Sequence, residues 1–200
     1  MTAPTAAAPT ARLDATEGAV RAEVEIAAPP DRVFQALTDP RQLAAWWGSF
    51  ETYRTHDWAV DARPGGQWST HTTDAAGREG TLHGEYRLVD PPRRLEYTWR
   101  ASWDDHALTT VRFDLEPAEV GGVSGTRVTV THSGFGGAAG GVPGGVTALA
   151  GAPYADGWIR RLARLARLAG RPRQRALRVP PYALRPTWRR ARRARPLVAC

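Results

Sequence analysis

The sequence predicts an α+β chain in which an antiparallel sheet curls around one long helix near the C-terminal end. Three observations carry that expectation. Stretches of alternating apolar and polar residues follow one another at hairpin spacing, each closed by a Pro, Gly or Asp turn signal. Two short helical stretches stand between the first of these and the rest. A single long amphipathic stretch follows the last of them.

Residues 1–18, MTAPTAAAPTARLDATEG, lack a basic start and a compact apolar run, so they read as a flexible leader and not as a secretion signal. AVRAEVEIAA (19–28) places Val20, Ala22, Val24 and Ile26 on one strand face before Pro29-Pro30 ends it. In DRVFQALTDP, Asp31 suits an N-cap and Val33, Phe34 and Leu37 fall at helical spacing. Pro40 then opens a second short helix, PRQLAAWWG, with Gly48 at its end. The strand-like pieces ETYRTHDWAVDA, GQWSTHTT, GTLHGEYRLV, RLEYTWRAS, LTTVRFDLEP and TRVTVTH complete a meander of about six strands. Residues 134–151 are glycine-rich and read as a loop. In PYADGWIRRLARLARLAG, Trp158, Ile159, Leu162, Leu165 and Ala169 share a helix face opposite Arg160, Arg164 and Arg167. Pro153 suits the first turn of that helix and Gly170 its end.

The net charge of +7 hides two opposed halves. All 20 acidic residues lie between Asp14 and Asp156, and only 13 of the 27 basic residues, every one an arginine, accompany them. The 14 other arginines fall after residue 158, where there is no acid. The body is therefore an acidic globule, and residues 171–200 read as a disordered Arg/Pro-rich basic tail with no usable period. Three readings of the tail stay open: a frame-shifted or nonfunctional end, generic adhesion to nucleic-acid phosphates, and specific nucleic-acid binding, for which no signature is present. Cys200 is the single cysteine, which excludes an internal disulfide and makes a reducing cytoplasm the default. No apolar run approaches the length of about 18 residues that a membrane helix needs.

A curved sheet and one helix leave a gap between them that only large side chains can fill. Seven of the eight tryptophans fall within the body. By strand parity Leu95, Tyr97 and Trp99 share a face, as do Val111, Phe113 and Leu115, and Trp158 begins the apolar stripe of the helix. These rings are either plain core or the walls of a pocket for a flat apolar ligand, oriented by indole N–H and phenol O–H groups. On the pocket reading the candidate ligand-binding residues are Trp47, Trp68, Tyr97, Trp99, Phe113, His132 and Trp158.

His132 continues the apolar face of Val128 and Val130, directly before a Ser-Gly-Phe turn. It could pin the following loop through a backbone carbonyl or hydrogen-bond a ligand carbonyl or phenol. A general base would need a partner carboxylate, and none is evident on a neighbouring face. The five histidines show no metal-ligand spacing, the glycine-rich stretches lack a phosphate-loop lysine, and Ser133 lacks a nucleophile elbow. No catalytic residue, metal or cofactor is implied.

The blocks VEIAAPPDRVFQALTDPRQLAAWWG, RPGGQW, GEYRLVDPPRRLEYTW, TTVRFDLEP, GTRVTVTHSGF and YADGWIRRLARL occur in the order of a bacterial SRPBCC (START-like) protein. Over residues 19–170 the chain resembles the branch similar to the C-terminal domain of activators of the 90-kDa heat-shock chaperone ATPase. The resemblance implies a helix-grip fold, a sheet of six to seven strands around a long C-terminal helix, with a hydrophobic cavity between them. Thr131, His132, Gly134 and Phe135 match the branch's TH-x-GF block, which implies an imidazole at the cavity rim. It carries over no catalytic residue. The function expected is a soluble cytoplasmic protein that binds a small hydrophobic or aromatic molecule, in stress response or detoxification. A co-chaperone-like interaction module and a cyclase or hydrolase using the same cavity are the alternatives. The partners expected are that small molecule, a chaperone or other protein, and non-specific nucleic acid at the tail, with no membrane.

Overall fold

The computed structural model describes residues 8–14, 18–48, 53–103, 108–135 and 147–171. Eight strands form one antiparallel sheet: β1 (Thr10–Asp14), β2 (Ala19–Ile26), β3 (Tyr53–Val60), β4 (Gln67–Asp74), β5 (Glu79–Asp90), β6 (Arg94–Ala101), β7 (Thr109–Val120) and β8 (Val123–Ser133). Their spatial order is β1-β2-β8-β7-β6-β5-β4-β3. Helices α1 (Pro30–Thr38) and α2 (Pro40–Trp46) connect β2 to β3, and α3 (Thr147–Ala169) packs on the inner face. The expected fold class is present. β2 to β8 are the seven expected strands, and β1 adds an eighth from within the segment read as a leader.

Period-two burial places the core where the pattern said it would lie. Val20, Ala22, Val24 and Ile26 on β2, Val111, Phe113 and Leu115 on β7, and Val128 and Val130 on β8 are all buried. The register stacks them across strands, with Phe113 opposite Val130 and Val111 opposite His132. His132 also faces Val20 on its other side. Each large apolar side chain fully buried in this way contributes roughly 1.5–3 kcal/mol. The sheet curls far enough for both edges to reach α3. β1 lies against the helix at one edge, and Tyr53 of β3 accepts a hydrogen bond from Arg161 at the other.

Three local expectations change. Asp31 is not the N-cap of α1. Pro29 takes that position without a side-chain cap, and Asp31 lies in the first turn. Asp39 is the residue that caps, its carboxylate accepting from Arg41 N at 2.8 Å and Gln42 N at 3.3 Å at the start of α2. The third change concerns α3, which begins at Thr147 and leaves Pro153 well inside it. The run ahead of the proline holds three alanines and a leucine, all good helix formers, and Pro153 itself has no N–H for the carbonyl of Leu149. The helix ends as expected, Gly170 N donating to Ala166 O at 2.9 Å. Residues 136–146 of the glycine-rich stretch and the tail from 172 onward lie outside the described residues.

Candidate functional site

The seven candidate residues do come together, and all are buried. They meet because alternate positions on β4, β6, β7 and β8 project onto the inner face, where α2 and α3 deliver one tryptophan each. Trp47, at the C-cap of α2, sits at the centre. It stacks on Trp99 with centroids 5.3 Å apart and lies 6.1, 6.4 and 6.0 Å from Trp68, Tyr97 and Trp158. Phe113 meets Trp158 edge-on at 5.7 Å. Offset and T-shaped contacts of this kind are the favoured geometries of aromatic packing. Most of the set is therefore packed core.

His132 belongs to that core and not to a rim. It is fully buried, between Phe135 at 4.6 Å and Tyr154 at 4.8 Å. Gly134, at φ 93°, turns the chain out of β8 in a conformation other residues adopt only with strain, which brings Phe135 back over the ring. Trp158 Nε1 donates to His132 Nδ1 at 3.3 Å, which assigns the remaining proton to Nε2. Nε2 then donates to Thr109 Oγ1 at 2.8 Å, and Thr109 Oγ1 donates to Trp99 O at 3.3 Å. Burial, with the nearby Arg161 charge second, lowers the imidazole pKa to about 3. The ring is neutral at physiological pH, and both nitrogens are satisfied. It ties α3 to the sheet.

The cavity lies beside this core, between the first turns described for α3 and the ends of β3 to β6. It encloses about 660 Å³ and is lined by Trp47, Tyr53, Thr72, Ser102, Trp103, Tyr154 and Gly157, together with Asp74, Arg78, Glu79, Arg160, Arg161 and Arg164. That is ample for a drug-sized ligand. Of the seven candidates only Trp47 lines it; Trp68, Tyr97, Trp99, Phe113, His132 and Trp158 stand behind it.

Arg161 is the residue sequence reasoning missed. Only 8% exposed, it lays its guanidinium over four rings, with Cζ 5.7 Å from the centroid of Trp47, 5.9 Å from Tyr53, 5.5 Å from Trp99 and 5.2 Å from Trp158. Cation–π attraction compensates part of its desolvation. Its Nη2 donates to the Tyr53 hydroxyl, while its Nε is buried with no acceptor among the described residues. The signal was there in the helix spacing: position 161 lies three residues after Trp158 and four before Leu165, on the apolar stripe. Gly157 was the second clue. A Cβ there would stand 2.8 Å from Arg161 Nη1, so the helix-weakening glycine makes room for the guanidinium to fold back over the preceding turn.

The family described as Activator of Hsp90 ATPase homolog 1-like protein matches residues 27–170. None of the curated proteins matches the chain. Among solved structures, a protein from Chromobacterium violaceum is 26% identical, with 77% of this chain and 99% of that one covered at a TM-score of 0.61. An AHSA1 protein from Silicibacter pomeroyi is 25% identical, with coverages of 75% and 96% and a TM-score of 0.57. A protein from Arthrobacter aurescens, 19% identical over 82% of this chain and 92% of that one, shares the fold at a TM-score of 0.66. Among the described residues no helix is long and apolar enough to cross a membrane. With the family match spanning most of the chain and the curled sheet gripping α3, this chain belongs to the Activator of Hsp90 ATPase homolog 1-like family.

Proposed function

We propose that this protein holds a small aromatic or hydrophobic molecule in the 660 Å³ cavity between the sheet and α3. The observation that carries the reading is the wall itself: Trp47, Tyr53, Trp103 and Tyr154 present rings to a space that no described side chain fills. The site is therefore displaced from the seven residues first considered. Trp47 is a contact residue, and the other six form the rigid backing that holds it in place. A cytoplasmic setting in stress response or detoxification accompanies this reading and rests on family resemblance and the single cysteine.

The test is energy transfer from the tryptophan cluster to a pyrene probe. Either 1-pyrenebutanol or 1-pyrenebutyrate should give saturable pyrene emission on excitation of tryptophan, with affinity in the micromolar range, about −8 kcal/mol. Native mass spectrometry of the purified protein should also show a co-purifying small molecule. Failure of both probes to saturate would sink the reading.

A second reading has its own observation. Trp103 and Leu108 are 51% and 48% exposed at the connection from β6 to β7. An apolar pair of this kind suits protein docking. The family's description makes the 90-kDa heat-shock chaperone the partner to try, by its ATPase rate with and without this protein. An acceleration abolished by Leu108→Ser would favour docking.

A further inference from the structure

We propose that the cavity ligand carries a carboxylate and that Arg161 is the residue that receives it. This rests on the reading that the cavity holds a small aromatic molecule. A guanidinium taken out of water is costly unless an anion or a full set of acceptors meets it. Arg161 is more than nine-tenths buried and lines the cavity, yet makes no ion pair among the described residues. The surrounding ring faces attract its charge but leave its in-plane N–H groups to find acceptors elsewhere. Tyr53 takes one of them, and Nε is left without any.

The neighbours of Arg161 share its deficit. Trp47 Nε1 and Trp99 Nε1 are buried without an acceptor among the described residues, and so is the hydroxyl of Tyr97. Burial pushes the Tyr97 hydroxyl well above its usual pKa, so it keeps its proton and can donate. Arg161 lies over the rings of both tryptophans, and these stack on each other. Arg161 and Trp47 are the members of this donor-rich cluster that line the cavity, and a carboxylate is the chemical complement of such groups, since it only accepts and can take a guanidinium two bonds at a time.

The cavity's own carboxylates do not fill the role. Asp74 accepts from the Arg78 side chain at 2.6 Å and from the backbone N–H groups of Ala76 and Arg78. Glu79 accepts from Thr73 Oγ1 at 3.0 Å. Asp74 is matched to Arg78, and Arg160 and Arg161 of α3 line the same cavity, where their charge favours an anion.

The probes are the matched pair 1-pyrenebutyrate and 1-pyrenebutanol, equal in ring and chain length and differing in charge. The wild-type protein should bind the butyrate about tenfold or more tightly than the alcohol, the gain expected of a charge-assisted contact. Arg161→Met should bring the two affinities together by weakening the butyrate alone. Arg167→Gln, which removes an equal charge on the exposed last turn of α3, should keep the preference. Because Arg161→Met could unfold, the wild-type pair is also compared at high salt. A buried contact keeps its preference there, whereas attraction to the surface is screened. Equal binding of the pair by the wild type, a preference lost in salt, or a preference surviving in folded Arg161→Met would each overturn the inference while leaving an aromatic cavity standing. If neither probe binds, the cavity reading falls and takes the inference with it.

Discussion

Two polar side chains enter the aromatic interior of this protein, and their surroundings could hardly differ more. His132 is enclosed, neutral and satisfied at both nitrogens, by Trp158 and by Thr109. Arg161, one turn along α3 from Trp158, is charged, borders a cavity and keeps a buried N–H with no acceptor among the described residues. A completed hydrogen-bond set marks a group that stabilises the fold. An incomplete one beside a cavity is the kind of group that the proposed ligand would complete. The histidine drew attention in the sequence because imidazoles do chemistry, but its two satisfied nitrogens give it a structural role.

The largest effect should come from breaking the shared backing of both groups. Trp99 is fully buried and supplies the carbonyl that ends the His132 chain and a ring under Arg161. Trp99→Ala should cost about 3–5 kcal/mol in chemical denaturation, as expected for a large core cavity. A loss below about 1 kcal/mol would mean that these rings do not form a tight core.

pH separates the two groups next. His132 has a folded-state pKa of about 3, below its unfolded value near 6.5. Its depressed pKa stabilises the fold fully above 6.5, and that stability is lost as pH falls, because only the unfolded chain takes up the proton. Between pH 6 and 4.5, before most carboxylates titrate, stability should fall by about 1.4 kcal/mol per pH unit from this group. His132→Phe should remove that slope, and a slope unchanged by the substitution would assign it to other groups.

At neutral pH the same substitution should cost about 1–3 kcal/mol, because it strands the Trp158 N–H without an acceptor. Pyrene-probe affinity should be unchanged in the folded variant, since His132 does not line the cavity. Weakened probe binding at intact stability would erase the contrast between the two groups.

The smallest effect sharpens the arginine side. Gly157→Ala gains helix propensity, up to about 1 kcal/mol, while its Cβ crowds Arg161 Nη1. Thermal stability should stay level or rise as butyrate affinity falls severalfold. Equal affinity in the variant would show that the guanidinium does not need the space the glycine leaves.

Much of this architecture was legible in the residue pattern. Alternation with a period of two is a direct consequence of strand geometry, so Val20, Ala22, Val24 and Ile26 declared their face without knowledge of any partner. The aromatic gathering was legible for the same reason, since Tyr97, Trp99 and Phe113 share a face whichever strands lie beside them. Capping and helix starts were less so. Asp31 and Asp39 have the same cap chemistry, and the backbone geometry alone selects the second.

What the pattern could not express is where polar groups find partners. The residues opposite His132 lie 112 and 21 positions away, at Val20 and Val111, and its hydrogen-bond partners come from β7 and α3. Only the curled sheet with α3 laid across it could make that imidazole structural. Arg161 required the same curling, which wraps four rings around a guanidinium and sets it on the cavity wall. Faces follow from the chain's local repeat and are written residue by residue. Satisfaction and vacancy depend on distances between segments remote in sequence, and those exist only once the sheet has curled around its helix.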